Sequence, residues 1–471
     1  MGAKDDTCGH APSAQALTLA DDAAHGLARR MPALSAHRVI TGRQAATLTA
    51  VAIACGGFTI LAPHSAWLTL AVFTSGAFLT GTLFRAVLAC VGGLPKGGAC
   101  EAPGELPVYT ILVPLYREAN VLPRLARALL LLDYPHDKLD IKLIVEADDA
   151  QTLAVAETLA CRGPFDVIAV PTVGPRTKPK ACNFALHFAR GEFTVIFDAE
   201  DRPERDQLRK AVAAFCAHPT RVACLQARLN FYNAGENWLT RLFALDYALW
   251  FDVLLPGLDR IGVPMPLGGT SNHFRTAMLR ELGGWDPFNV TEDADLGIRI
   301  AQLGSRVAML DSTTFEEAPT RLDVWLKQRS RWLKGYMQTW LVHTREPFGL
   351  VRRAGAGGFF AFHLFIGGSV AASLANPLLW LLFALSLFWP HRDGASTAML
   401  SSLIGGNAVL TALAVMGPLR RGWRDLAPYG LTVTFYWALI SLAAWRGLHQ
   451  LIVNPFHWEK TAHGLSRRRA G

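Results

Sequence analysis

The chain has 471 residues, of which 51% are hydrophobic, and a formal net charge of +8. That apolar share exceeds what one soluble domain needs for its core, so the surplus must sit in segments that meet lipid. The charge gathers beside those segments rather than along one aromatic-studded face, which excludes nucleic acid as a partner and fits anionic lipid; eight cysteines without a CxxC or Cys/His pairing exclude structural zinc and a disulfide frame.

Residues 1–43 open with MGAKDDTCGHAPSAQ and show no apolar signal-peptide core before Thr47, so they read as a disordered cytosolic tail. Residues 44–92 hold two apolar runs, 44–63 and 66–92, the second uncharged except for Arg85. Each can cross about 30 Å of hydrocarbon as a helix. Arg29, Arg30, Arg38 and Arg43 precede the first run, and the 63–65 link carries no Lys or Arg. The amino terminus and the middle of the chain are therefore expected in the cytoplasm.

From 106 to 222, short apolar runs (YTILVPLY, IKLIVEADD, FDVIAV, FTVIFDAED) alternate with the helical stretches NVLPRLARALLLLDY, AQTLAVAETLA and KACNFALHFA. This order predicts an α/β domain with a doubly wound, mostly parallel sheet, whose ligand lies at the carboxyl ends of the strands. The polar residues fall at those ends: Pro114 to Glu118, Glu146 to Asp149, and Asp198 to Asp201. Clustered carboxylates repel unless a cation neutralises them, which makes Asp198-Ala-Glu200 a candidate Mg²⁺ or Mn²⁺ site; capping of the following helices is the simpler role for any one cluster. Farther on, Thr291-Glu292-Asp293 opens an amphipathic pattern, and 323–342 reads as an amphipathic helix at the membrane surface, with Trp and Leu opposite Arg and Lys.

Apolar sequence resumes at 359–389, 398–416 and 429–453. The first run is broken by Asn376-Pro377 and reads as a span preceded by an interface helix, giving five or six spans in all. Arg420, Arg421 and Arg424 and the tail Arg467 to Arg469 both favour the inside, which requires an even number of crossings between them.

Four motifs in this order, VPLYRE at 113–118, Asp198-Ala-Glu200, Thr291-Glu-Asp293 and QRSRW at 328–332, resemble those of family 2 glycosyltransferases with a GT-A fold. The branch they most resemble is the processive membrane one of cellulose, chitin and hyaluronan synthases, and within it bacterial exopolysaccharide synthases. The resemblance covers 107–340 and the flanking spans. It implies a UDP-sugar donor, a glycan acceptor, a bilayer and a bacterial inner membrane, with any export or regulatory subunit left open.

By the same resemblance Pro114, Tyr116, Glu118, Glu146, Asp148, Lys180, Asp198, Gln328 and Arg331 serve the donor, although EADD stands for the family's Asp-Asp-Gly and leaves open which carboxylate meets the nucleotide. Asp198 and Glu200 hold the metal. Asp293, beside Glu292, is the base that takes the acceptor proton. Trp332, Gly269, Thr270, His273 and Arg329 serve the acceptor, with Trp332 stacking on the terminal sugar; a packed structural role is equally open for His273. The domain boundaries that follow are a tail (1–43), two spans (44–92), the GT-A domain (105–320), interface helices (321–353), a carboxy-terminal bundle (354–455) and a basic tail (456–471). Rival readings are a non-processive enzyme that places one sugar on a polyprenyl phosphate, and a non-catalytic scaffold.

Overall fold

A computed structural model describes residues 13–93, 104–218, 220–386 and 394–459. Eight strands build one sheet: β1 (Tyr109–Leu115), β2 (Leu139–Glu146), β3 (Phe165–Val170), β4 (Phe193–Ile196), β5 (Arg202–Pro203), β6 (Val222–Phe231), β7 (Asn272–Arg275) and β8 (Arg306–Glu316). Their spatial order is β3-β2-β1-β4-β7-β6-β8-β5. Pairs β1–β2, β1–β4, β2–β3 and β6–β8 are parallel, while β7 and β5 run antiparallel to their neighbours. The sheet is thus mixed and mostly parallel, as the strand–helix alternation predicts.

Sixteen α-helices occur among the described residues. Before the sheet come α1 (Ala14–Arg30), α2 (Gly42–Leu61) and α3 (Pro63–Val91); within the domain come α4 (Leu122–Leu130), α5 (Ala150–Ala160), α6 (Lys178–Leu186), α7 (Gln207–Ala217), α8 (Trp238–Leu249), α9 (Leu255–Ile261), α10 (Thr276–Glu281) and α11 (Glu292–Gln302). After it come α12 (Leu322–His343), α13 (Pro347–Phe362), α14 (Gly368–Ser386), α15 (Gly394–Arg420) and α16 (Val433–Val453). Alternation along β1 divides the interior into two cores. Ile111 and Val113 pack with Leu125 of α4 and Phe215 of α7, whereas Leu112 belongs with Phe184, Tyr247, Leu296 and Tyr436 on the face turned to the apolar helices.

Polar groups are not confined to strand ends. Asp140 and Lys142 lie buried in the body of β2, where Lys142 reaches Asp140 at 2.8 Å and Asp166 at 2.7 Å, and Thr110 donates to Asp140. Each buried charge is paired, which is the condition for tolerating it.

The amino-terminal segment departs from the expected disordered tail. Ser13 caps α1, and Ala20, Ala23, Ala24 and Leu27 are buried against the domain, with Asn183 of α6 donating to the Ala23 carbonyl. Beyond it, Arg345 donates to the carbonyls of Pro32, Ala33, Ser35 and Arg38, and Asp286 accepts from Ser35 and Ala36. The contact face is built of alanines, so a shortage of bulky side chains does not mean a shortage of burial. Residues 1–12 and the basic residues 467–469 lie outside the described residues.

Five helical segments are long and apolar enough to cross a membrane: Gly42–Leu61, Pro63–Val91, Pro347–Leu382, Ser396–Arg420 and Ala427–Val453. The third is interrupted at Gly355, whose φ of 73° leaves the helical region, and by a π-turn at His363–Gly367; Pro377 lies inside α14, so the break expected at Asn376-Pro377 falls earlier. The last segment behaves differently from the others. Near its start, Tyr436 bonds Trp325 and Arg329 of α12; past its end, Lys334 and Gln338 of α12 donate to the carbonyls of His457 and Pro455. Between them Gly447 lies against the Ser330 backbone, where a Cβ would come within 2.8 Å of the carbonyl. α16 therefore lies lengthwise on α12. α12 in turn is sandwiched: Lys334, Gln338 and His343 are buried, and its polar side faces protein rather than water.

Candidate active site

The site is built where β1, β2 and β4 end. Pro114, Tyr116, Glu118, Glu146, Asp198 and Glu200 all line one cavity of about 800 Å³. Parallel register brings Leu115 beside Val145 and places Glu146 one step on, which is why separate turns converge at one edge. Arg117 in the first turn holds a φ of 54°, and its N–H donates to Asp149, so a strained backbone is fixed by the neighbouring strand's loop.

Lys178, at the start of α6, is ion-paired with Asp198 and donates to the Gly269 carbonyl at 2.7 Å. Burial alone lowers its pKa, but the charges of Asp198 and Glu292 outweigh that and hold it protonated. Lys180 is fully buried behind the wall, bonded to Glu146 at 2.9 Å and to the Pro171 carbonyl. The donor-side lysine expected at 180 thus supports Glu146, and the lysine on the cavity is Lys178. Asp148 is likewise off the wall, paired with Arg176 at 2.7 Å, while Arg176 itself lines the cavity.

Asp198 and Glu200 are hard oxygen donors on the wall. Burial pushes Asp201 and Glu316 well above the usual carboxylate range, reinforced for Asp201 by the charges of Asp198 and Glu200 and for Glu316 by Asp201 first and then by Glu200 and Asp198. Buried oxygens of both, Asp201 Oδ1 and Glu316 Oε1, have no hydrogen-bond partner. Among the described residues no three His, Cys, Asp or Glu side chains gather as a self-sufficient metal cage. Two carboxylates completed by phosphate oxygens and water suit Mg²⁺ or a similar ion, so the donor set fits a divalent cation carried with a diphosphate.

Opposite stand Glu292 and Asp293, at the start of α11. Gly269 lies under Asp293: a Cβ there would be 3.4 Å from its Oδ2. Burial, reinforced by the Asp293 charge, raises Glu292 to about 8. Burial also raises Asp293, against the Ala294 N–H, Lys178 and Arg331. Behind them Asp295 is buried between Arg299 and His343 of α12, at 3.2 and 2.9 Å, which ties the acidic helix to α12. Gly335 permits the approach, since a Cβ there would sit 2.2 Å from Thr291 Oγ1.

α12 supplies Gln328, Arg329, Arg331 and Trp332 to the same cavity. Burial lowers Arg331, while Glu292, Asp293 and Asp198 pull the other way, so this guanidinium faces all three acids; it also stacks on Trp458 at 4.3 Å. Gln328 Oε1 and Arg331 Nε are buried without partners, as expected of groups awaiting a ligand. Arg329 is pinned to Asp246 at 2.5 Å and Tyr436 at 2.8 Å, and it lies 4.9 Å from the Trp332 ring, which in turn packs with Tyr247. Gly269 and Thr270 reach the wall. His273 does not: it is fully buried in β7, bonded to Tyr109 at 2.7 Å and Gln207 at 3.3 Å, and desolvation drops its pKa to about 3. It is a neutral core histidine.

Residues 107–335 match the family described as glycosyltransferase like family 2. They form a family 2 glycosyltransferase domain. The chain is 24% identical over 402 residues to the probable glycosyltransferase YdaM of Bacillus subtilis, covering 82% of this chain and 93% of that one. It is 28% identical over 270 residues to beta-monoglucosyldiacylglycerol synthase of Trichormus variabilis, 56% of each chain. It is 27% identical over 247 residues to probable glucomannan 4-beta-mannosyltransferase 10 of Arabidopsis thaliana, 49% of this chain and 43% of that one. The chain thus spans about half the length of the latter two relatives. With the mixed, mostly parallel sheet and its strand-end carboxylates, the domain has a GT-A-type architecture flanked by apolar helices.

This glycosyltransferase site also contains residues that the motifs did not mark. Lys178, Arg176, Glu316, Tyr247 and Trp458 line the cavity. Lys178 lies two residues from the chosen lysine, and only the direction of the α6 start separates them. Trp458 had no local signal, because it comes from the far end of the chain.

Proposed function

We propose that this chain is a processive, inverting glycosyltransferase of a bacterial inner membrane that takes a UDP-hexose, UDP-glucose first, and extends a β-linked polysaccharide from a cytoplasmic site. The observation that carries this reading is the continuity of the cavity. It is lined from Glu146 and Asp198, past Asp293 and Trp332, to Asn376 of α14, Asn407 of α15, and Trp437 and Ser441 of α16. A hydrated glycan cannot cross hydrocarbon unaided, and a path with hydrogen-bonding groups and an indole face removes that obstacle.

In this mechanism Pro114, Tyr116, Glu118 and Glu146 hold the nucleoside, and Asp198 and Glu200 hold Mg²⁺ or Mn²⁺. The ion, when bound, neutralises the diphosphate and eases its departure. Lys178 and Arg331 bring fixed positive charge to the same end. With Glu292 raised to about 8, the acidic pair carries one charge near neutrality, on Asp293. Asp293 takes the acceptor hydroxyl proton as that oxygen attacks C1 from the face opposite the leaving diphosphate, and one such displacement inverts the centre. Trp332 and Tyr247 offer ring faces to the acceptor sugar, which can slide without losing specific bonds.

Topology supports the cytoplasmic placement. Before Arg420 the candidate spans are α2, α3, the α13–α14 segment and α15. Four crossings put the amino terminus, the catalytic domain and Arg420, Arg421 and Arg424 on one side, the side that basic loops favour.

Purified protein given labelled UDP-glucose and Mg²⁺ should form a glycanase-sensitive polymer. A single sugar on lipid, with no polymer, would instead select one-step transfer to a lipid acceptor, a reading favoured by the apolar wall that Phe73, Phe78, Leu410 and Ile440 give the far half of the cavity.

A further inference from the structure

Among the described residues that α3, α14, α15 and α16 contribute to the cavity, Arg85 is the one bearing a fixed charge. Its guanidinium donates to Ser369 Oγ at 2.7 Å and to the Gly81 carbonyl at 3.2 Å, and it forms no ion pair among the described residues. Every other arginine named on the wall, Arg176, Arg329 and Arg331, faces an acid. A partly buried cation without a counter-charge is costly, and it persists where an anion visits.

We propose that Arg85, with Ser369, binds the phosphate of a membrane lipid whose head group enters the catalytic cavity between α3 and α14. Depth is the first argument. Arg85 lies six residues before Val91, the end of α3, or about 9 Å at the helical rise. That end abuts the catalytic domain: Arg420 donates to the carbonyls of Ala89 and Gly92, and Gly92 lies against the backbone of Val253 and Gly257. Arg85 therefore sits at the boundary between head groups and chains, where lipid phosphate resides. The surroundings are the second argument. Phe73, Ala77 and Phe78 follow on the same face of α3, facing Ala372 of α14, so the guanidinium is polar at one end of a hydrocarbon-lined slot. A free phosphate has no use for such a wall; an acyl or prenyl chain does. Ser369 adds a hydroxyl that can turn to the same phosphate.

The test uses the full chain in a phosphate-free maltoside micelle. Wild type, R85Q, R85K and S369A are incubated with phosphatidic acid or with diacylglycerol of the same chains, and the lipid retained after gel filtration is read by mass spectrometry. Wild type should retain phosphatidic acid about tenfold better than diacylglycerol, as expected of one charge-assisted contact. R85Q should lose that preference while still binding UDP, with R85K keeping part of it. Equal retention of the two lipids by wild type overturns the proposal whether or not R85Q folds. Release of the lipid by millimolar inorganic phosphate assigns the cation to a free anion, and release by an oligosaccharide of hexuronic acids assigns it to an acidic glycan; either result also overturns it.

Discussion

At the scale of single residues, the site separates groups that do chemistry from groups that hold them. Asp293→Asn should lower turnover by about 10³-fold while UDP affinity stays nearly unchanged, because in the proposed mechanism this group acts on the acceptor proton alone. Isothermal titration with UDP beside a sugar-transfer assay checks this, and retained turnover removes Asp293 as base. Glu292 makes a second prediction. Its folded pKa, about 8, lies above the ordinary 4.5, so the folded state holds the proton more tightly. The stability it contributes is full below pH 4.5 and is lost as pH rises through 8. In EDTA the melting temperature of wild type should therefore fall more between pH 5 and 9 than that of E292Q; parallel profiles would show that Glu292 ionises normally. Much of this site was legible in the sequence, because strand-end acids and the two later motifs are local patterns with a chemical reason. The lysine was not. Lys178 and Lys180 flank one proline, and which of them reaches Asp198 depends on how α6 leaves its loop. His273 misled for the opposite reason: it sits in a glycine-rich loop motif, yet the chain has already entered β7 and turned the ring inward.

At the scale of elements, function depends on the contact of α11 with α12. Gly335→Ala places a methyl on Thr291, and overpacking of this kind costs about 1–3 kcal/mol. Turnover should drop with stability in a thermal-melt and activity pair; an unchanged enzyme would mean that the two helices are free to separate. The amino-terminal α1 carries another prediction. Leu27 is 3% exposed, and Leu27→Ala should destabilise the domain by about 2–3 kcal/mol, measured by chemical denaturation of the detergent-solubilised protein. A disordered tail would show nothing. Composition hid this helix, since its buried face is Ala20, Ala23 and Ala24, residues equally at home in a linker. The apolar helices were legible from length alone, but the lie of α16 was not: hydropathy reports that a segment is apolar, whereas its bonds to both halves of α12 decide its direction.

At the scale of the whole molecule, the catalytic sheet and the apolar helices share a single cavity, and the central claim is that product leaves through it. Trp332 stands between the two halves, so W332A should shorten or abolish polymer while UDP still binds. The most direct measurement reconstitutes the protein in sealed vesicles with the catalytic domain outward, supplies UDP-glucose and Mg²⁺, and then adds a glycanase that cannot enter. A processive synthase with this path should leave a labelled polymer that resists digestion until detergent opens the vesicles. Polymer that is wholly digested before detergent is added would contradict the account, because it would place the product outside the cavity's membrane half.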